Sequence, residues 1–140
     1  MSATTPQLYA SLSVALGGGI GALARYQLGR AMTAWLGPSV VTAFPFATLA
    51  VNAIGSLLMG ILAGWLALRG ANLGVVGEQA RLLLGVGLLG GFTTFSAFSL
   101  EMVLLVERGD YMAASLYLLL SIGLCLSGLM IGLMISRVFA

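Results

Sequence analysis

Four apolar stretches, each long enough to cross a lipid bilayer, leave this chain few folds to choose from. They run about Leu8–Leu36, Phe44–Leu68, Leu82–Val106 and Tyr111–Val138, with short polar breaks between them. A bilayer core asks for about 20 predominantly apolar residues per helix, and each stretch reaches that length. Hydrocarbon offers no water to backbone N–H and C=O groups, so such stretches become helices. The expected fold class is an all-α membrane protein, with residues 1–140 forming a single four-helix transmembrane domain. Only 7% of the chain is charged, where a soluble domain carries about a quarter. The breaks fall at Gly37-Pro38, from Arg69 to Arg81, and at Glu107–Asp110. Pro38 and Pro45 suit helix starts, where the missing N–H costs nothing.

The same composition excludes several functions. Histidine is absent and Cys125 is the only cysteine. An intramolecular disulfide is therefore impossible, and a Cys/His metal site is not expected. All six cations are arginines, dispersed along the chain, so there is no nucleic-acid patch. The segment Met1–Pro6 has no basic n-region, so a cleaved signal peptide is not expected. No histidine and no nucleophile–base pair argue against an enzyme.

Orientation should follow the excess of arginine and lysine on the cytoplasmic side. With four spans, the N-terminus, second loop and C-terminus share one side, which holds Arg69, Arg81 and Arg137. The other side holds Arg25, Arg30 and Arg108. An even count gives the rule nothing to act on. The simplest reading is a chain inserted both ways, assembling as an antiparallel homodimer. Gly17/Gly21, Gly60/Gly64 and Gly128/Gly132 each make a G-x-x-x-G spacing. In lipid, small residues let helix backbones approach, and these pairs read as packing faces. Gly17, Gly19 and Ala22 also fit a dinucleotide-binding pattern, but no strand precedes them and no acid follows about 20 residues on.

The third stretch contains an anomaly. Gly90-Gly91-Phe92-Thr93-Thr94-Phe95-Ser96-Ala97-Phe98-Ser99 puts four hydroxyls and two glycines in the middle of an apolar segment. On a helix at about 100° per residue, Phe92, Phe95, Phe98, Ser99 and Met102 share one face. Thr94 and Glu101 share a second, and Thr93, Ser96 and Ala97 a third. A helix polar on two sides cannot rest against lipid on both. The glycine pair weakens the helix, and a break there would free carbonyls to bind a cation or line a cavity. Hydroxyls that bond back to their own helix would account for one or two of them.

The other spans add polar groups. Tyr117, Ser121 and Cys125 fall at i, i+4 and i+8 on one stripe of the fourth. The second carries Asn52, with Thr48 one turn before it, and Glu101 is the one carboxylate well inside a span. Hydroxyls, an amide and aromatic ring edges, whose hydrogens carry partial positive charge, suit a small anion. Conduction needs sites strong enough to replace hydration and weak enough to release the ion, and no lysine is present to hold it too tightly.

Four motifs carry a family likeness. They are Gly21-Ala22-Leu23-Ala24-Arg25-Tyr26, Thr48-Leu49-Ala50-Val51-Asn52-Ala53-Ile54-Gly55-Ser56, Gly90 to Ser99 with Glu101, and Glu107-Arg108-Gly109. Over nearly its whole length the chain resembles the Fluc/CrcB family of small dual-topology fluoride channels. The resemblance implies an antiparallel homodimer with two pores, a break in the third helix, and a multi-pass protein of the bacterial inner membrane. It also implies residue roles. Phe95 and Phe98 would contact fluoride through their ring edges, and Asn52 would donate to it. Tyr117 and Ser121 would continue a polar track, with Thr48, Ser99 and Glu101 as further candidates. Arg25 would stand at a vestibule. Carbonyls of Gly90 and Thr93 from both subunits would cage a structural sodium ion (Na+) at the dimer interface. Cys125 departs from the pattern, since the track often carries serine there. Ala47 departs too, where glycine is common.

The implied activity is passive: hydrogen fluoride enters as the neutral acid, dissociates in the cytoplasm, and the anion leaves through the channel, which reduces fluoride toxicity. A negative-inside potential drives it out with about 2.3 kcal/mol per charge per 100 mV. The main rival is a small multidrug-resistance-type exporter coupled to protons. Such exporters use a carboxylate in the first span, and here that span holds arginines and no acid. A non-transporting scaffold built on the glycine faces would leave the hydroxyl and phenylalanine run unexplained.

Overall fold

A computed structural model describes residues 4–139, so Met1–Ala3 of the N-terminal segment considered above lie outside it. Four helices are long and apolar enough to span a membrane: Gln7–Leu36, Phe46–Gly70, Val75–Glu107 and Tyr111–Val138. The first is one helix, α1 (Thr4–Leu36). Gly37, with φ +88°, turns the chain into the short α2 (Pro38–Ala43), whose first residue is Pro38. Pro45 then caps α3 (Phe46–Trp65), which continues as wide π turns over Leu66–Gly70. Two short helices follow, α4 (Ala71–Leu73) and α5 (Val75–Ala80), with Gly74 at φ +51° between them. The third span runs from α5 through a π stretch, Arg81–Leu89, into α6 (Gly90–Phe92) and α7 (Phe95–Glu107). The last helix is α8 (Tyr111–Phe139).

Glycine sets how these helices meet. A Cβ on Gly17 would collide with the Leu83 carbonyl, and one on Gly21 with the Leu88 carbonyl. Gly91 meets the Gly18 backbone in the same way, and Gly87 sits against Gly17. Gly87 and Gly91 are therefore a fourth G-x-x-x-G pair, facing the one on α1. Gly60 and Gly132 touch backbone to backbone, and Gly64 leaves room for Ser136. In both crossings the residue numbers rise together, so spans one and three run parallel, as do spans two and four. Van der Waals contact between close backbones replaces the hydrophobic drive that lipid removes. Ser136 adds a buried hydrogen bond, Oγ to the Ile61 carbonyl at 2.6 Å.

The small buried core lies under α7 and α8. Tyr117 is fully buried with Leu49, Leu105 and Ala114, and Phe44, Phe98 and Met102 pack on them. At the end shared by the first and third loops, Arg108 donates from Nη1 to the Thr42 carbonyl at 2.9 Å. That bond ties α7 to the last turn of α2, where a helix presents its negative end.

The third span departs from the sequence expectation in one respect. Its break is at Thr93-Thr94, not at the glycine pair. Gly90 stays helical, while Thr93 takes φ −80°, ψ 160° and Thr94 φ −154°, ψ 123°. Close approach to α1 accounts for Gly91, and the backbone leaves the helix only where a side chain is waiting to receive it. The single helical wheel fails for the same reason. Phe92, before the break, is buried, whereas Phe95, just after it, is 77% exposed.

Candidate functional site

The residue that receives the broken backbone is Asn52. Its Nδ2 donates to the Thr94 carbonyl at 2.9 Å, and its Oδ1 accepts from the Thr94 N–H at 2.8 Å. One amide side chain thus pairs both backbone groups of an extended residue, as a neighbouring strand would. Without it, each of these half-buried groups would lose its partner, at a cost of up to about 1–3 kcal/mol. Gly55, one turn along α3, has no Cβ to obstruct the Thr93 methyl. Thr94 then starts the next helix: its Oγ1 accepts from the Ala97 N–H at 3.2 Å as an N-cap.

These bonds leave backbone oxygen behind. In an unbroken helix the Thr94 N–H would serve the Gly90 carbonyl, and the Ala97 N–H the Thr93 carbonyl. Both donors are spent on side chains instead. Hard cations take oxygen ligands, so the two freed carbonyls fit the chemistry of the sodium site that the resemblance implies. Among the described residues no cluster of acidic, histidine or cysteine side chains could hold a metal.

A cavity of about 420 Å³ opens beside the break. Asn52, Thr94, Phe95, Phe98, Ser121 and Cys125 stand on its wall, and Met59, Ile122, Leu126 and Leu129 extend it with apolar surface. Asn52 has two amide hydrogens, and one remains after the bond to Thr94. Ser121 Oγ is buried and has no hydrogen-bond partner among the described residues. A serine in a helix commonly bonds back to the carbonyl four residues earlier, as Ser99 does to Phe95 at 2.9 Å and Thr93 Oγ1 to Leu89 at 2.9 Å. Ser121 does not. Ser121 lines the cavity, and its buried hydroxyl is left without a partner among the described residues. The Phe95 and Phe98 rings stand 5.6 Å apart, centroid to centroid.

Three more sequence candidates, Thr48, Glu101 and Tyr117, form a separate cluster. Thr48 Oγ1 donates to Glu101 Oε1 at 2.7 Å, and the Tyr117 hydroxyl donates to Oε2 at 2.7 Å. Each carboxylate oxygen thus holds one hydroxyl, drawn from α3 and α8. Phe98 joins the cluster to the cavity, its ring 5.1 Å from that of Tyr117. Phe44 closes the other side of Tyr117, edge-on at 5.6 Å. Contacts of this kind are worth about 0.5–1.5 kcal/mol per pair. Arg25 is elsewhere. It lines an open groove of about 730 Å³ with Tyr26, Arg30, Thr33 and Ala47.

Sequence reasoning missed the second job of Asn52, the N-cap at Thr94, and Met59 on the cavity wall. It also missed Gly87/Gly91, whose spacing of four was readable but stood beside the more conspicuous Gly90-Gly91 pair. Ser136 lies four residues after Gly132, so extending the small-residue stripe by one turn would have found it.

Comparisons with known proteins agree on one family. Residues 12–133 match the family described as CrcB-like protein, Camphor Resistance (CrcB). A protein of Erythrobacter litoralis named fluoride-specific ion channel FluC is 58% identical over 137 residues, 98% of each chain. Proteins of the same name are 56% identical in Novosphingobium aromaticivorans, over 91% of this chain and 96% of that one, and 51% identical in Phenylobacterium zucineum, over 95% and 100%.

Replacing Asn52 by alanine should strand both backbone groups of Thr94. The expected result is a thermal midpoint in detergent well below wild type, reflecting about 1–3 kcal/mol per stranded group. A wild-type midpoint would show that other groups hold the break.

Proposed function

The chain belongs to the CrcB-like protein family, and from that premise we propose how its residues carry fluoride. It is a fluoride-specific channel, a multi-pass protein of the bacterial inner membrane, and not an enzyme. The proton-coupled exporter reading is excluded by the same match. Transport is passive export down the electrochemical gradient.

The observation that carries the residue-level reading is the unpartnered Ser121 hydroxyl, buried on a cavity that Asn52, Phe95 and Phe98 also line. An ion entering there meets one O–H, one spare N–H and two aromatic edges. All are neutral donors, and no arginine lines the cavity. Such a set replaces part of a fluoride ion's hydration without the grip of a full positive charge. Beyond Phe98 the ion reaches Thr48 and Tyr117, whose hydroxyls are already given to Glu101. Passage on that route requires those hydroxyls to turn from the carboxylate to fluoride, two anions competing for the same hydrogens. Arg25 and Arg30 line the outer groove and raise the local anion concentration.

The functional unit is an antiparallel homodimer with two such paths. Three arginines at each end support it, since neither orientation is favoured. The exposed ring of Phe95 supports it too, because a ring edge that must shape an ion path needs a second wall. At the axis, the Gly90 and Thr93 carbonyls of both copies would hold Na+, which would offset their dipoles and tie the broken helices together. A structure of the assembled protein in lipid should show inverted copies with cation density between those carbonyls. Copies in the same orientation, or an empty axis, would contradict this arrangement.

Liposomes reconstituted with the protein and read by a fluoride electrode test the ion path. Fluoride should leave while chloride stays. Phe95→Ile should slow fluoride at least about tenfold, the equivalent of about 1.4 kcal/mol, with assembly unchanged. Comparable loss of chloride, or full flux in the variant, would overturn the reading.

A further inference from the structure

We propose that Phe44 is a positioning residue of the fluoride path: its ring, fixed by the turn at Pro45 and by a tether from Arg108, holds the Tyr117 ring so that the hydroxyl keeps its place beside Glu101 as the ion passes. This rests on Tyr117 being a step of that path.

Tyr117 is fully buried, and two rings flank its own. Phe98 is 5.1 Å away and belongs to the cavity wall. Phe44 stands edge-on at 5.6 Å and is backed by Phe46 at 4.7 Å, away from that wall. On the proposed route the Tyr117 hydroxyl leaves the carboxylate for fluoride and then returns. A phenol hydrogen does that by turning about the C–O bond, provided the oxygen itself does not move. Packing on the ring holds the oxygen, and a misplacement of about 1 Å in such a geometry can cost orders of magnitude in rate.

The backbone suits Phe44 to that task. A residue before proline is driven out of the helical region, and Phe44 takes φ −146°, ψ 135° between α2 and α3. Its N–H still closes α2 on the Val40 carbonyl at 3.1 Å, and its carbonyl accepts from the Phe46 N–H at 2.8 Å. Pro45, at φ −80°, ψ 62°, is the centre of that inverse γ-turn. Both backbone groups of Phe44 are committed, so the ring is carried on a fixed base.

A tether comes from α7. Arg108 holds the carbonyl of Thr42, two residues before Phe44, at 2.9 Å. Arg108 follows Glu101 by seven residues, about two turns, which puts both on one face of α7. The helix that receives the Tyr117 hydroxyl at Glu101 thus also fixes the segment that carries Phe44. Oxygen and ring of Tyr117 are held from the same face of one helix. The Glu107-Arg108-Gly109 motif, which no step of the ion path uses, has its role here.

The test measures fluoride efflux from proteoliposomes, on variants that assemble in detergent as wild type does. Phe44→Leu should slow efflux about fivefold, the scale of one lost ring contact. Phe44→Tyr keeps the ring and should stay within about twofold of wild type. In a Tyr117→Phe background, Phe44→Leu should cost less than about a further twofold, because residues that act through one another are not additive. A second readout is the infrared C–O band of isotope-labelled tyrosine, which reports the hydrogen bond of the hydroxyl. Of the four tyrosines, the band lost in Tyr117→Phe belongs to Tyr117, and it should shift in Phe44→Leu. If Phe44→Leu does not assemble, Phe44→Met takes its place in both measurements. A wild-type rate in Phe44→Leu, a cost undiminished in the Tyr117→Phe background, or an unmoved band would each overturn the proposal. A Tyr117→Phe protein as fast as wild type would refute Tyr117 as a step of the path, and the band alone then decides whether Phe44 sets its hydroxyl.

Discussion

Backbone that leaves a helix inside a bilayer must find its hydrogen bonds within the protein. Here Asn52 supplies them, with bonds of 2.9 and 2.8 Å to the two backbone groups of Thr94. The features of the site depend on that clasp. It lets α7 begin afresh at Phe95, which turns Phe95 and Phe98 away from the buried Phe92 and onto the cavity. It diverts the N–H that would have occupied the Gly90 carbonyl. It also fixes one amide hydrogen of Asn52, a residue on the cavity wall, and leaves the other uncommitted. Asparagine suits this task better than the acid, because an aspartate could accept from Thr94 N–H but could not donate to its carbonyl.

The clasp works only if α3 and the third span are held in register. Glycine does this at two crossings. Gly60 and Gly132 bring α3 and α8 backbone to backbone, while Gly17, Gly21, Gly87 and Gly91 do the same for α1 and the third span. Gly55 then leaves room for Thr93 at the break itself. Much of the remaining surface is apolar side chain, as suits a protein solvated by lipid. The polar side chains packed near the break fall in two places, the cavity and the Glu101 cluster, with Phe98 between them.

The four helices could be read from the chain because twenty or so apolar residues have one stable form in hydrocarbon. The three glycine spacings were readable for a similar reason, since small residues four apart make a flat face on any helix. The break was legible in kind but not in place. Glycine propensity pointed to Gly90-Gly91, and the tertiary partner at Asn52 moved the break to Thr93-Thr94. A helical wheel drawn through Phe92–Met102 could not survive that displacement. Likewise, Thr48, Tyr117 and Glu101 could be named one by one as polar groups in a span. That they bond to one another depends on the α3–α8 crossing and on α7, which spacing within one helix does not contain. Ser121 was visible as a residue, while the lack of a partner for its hydroxyl among the described residues is a property of the fold alone.

The most direct measurement is the reversal potential of the current through the protein in a planar bilayer. A tenfold fluoride gradient is set across it, with chloride and protons equal on both sides. A passive path lined by neutral donors at Asn52, Ser121, Phe95 and Phe98 predicts a reversal near the fluoride equilibrium potential, about 59 mV for a monovalent ion, and no shift when a proton gradient is added. A reversal near zero, or one that follows the proton gradient, would contradict the account.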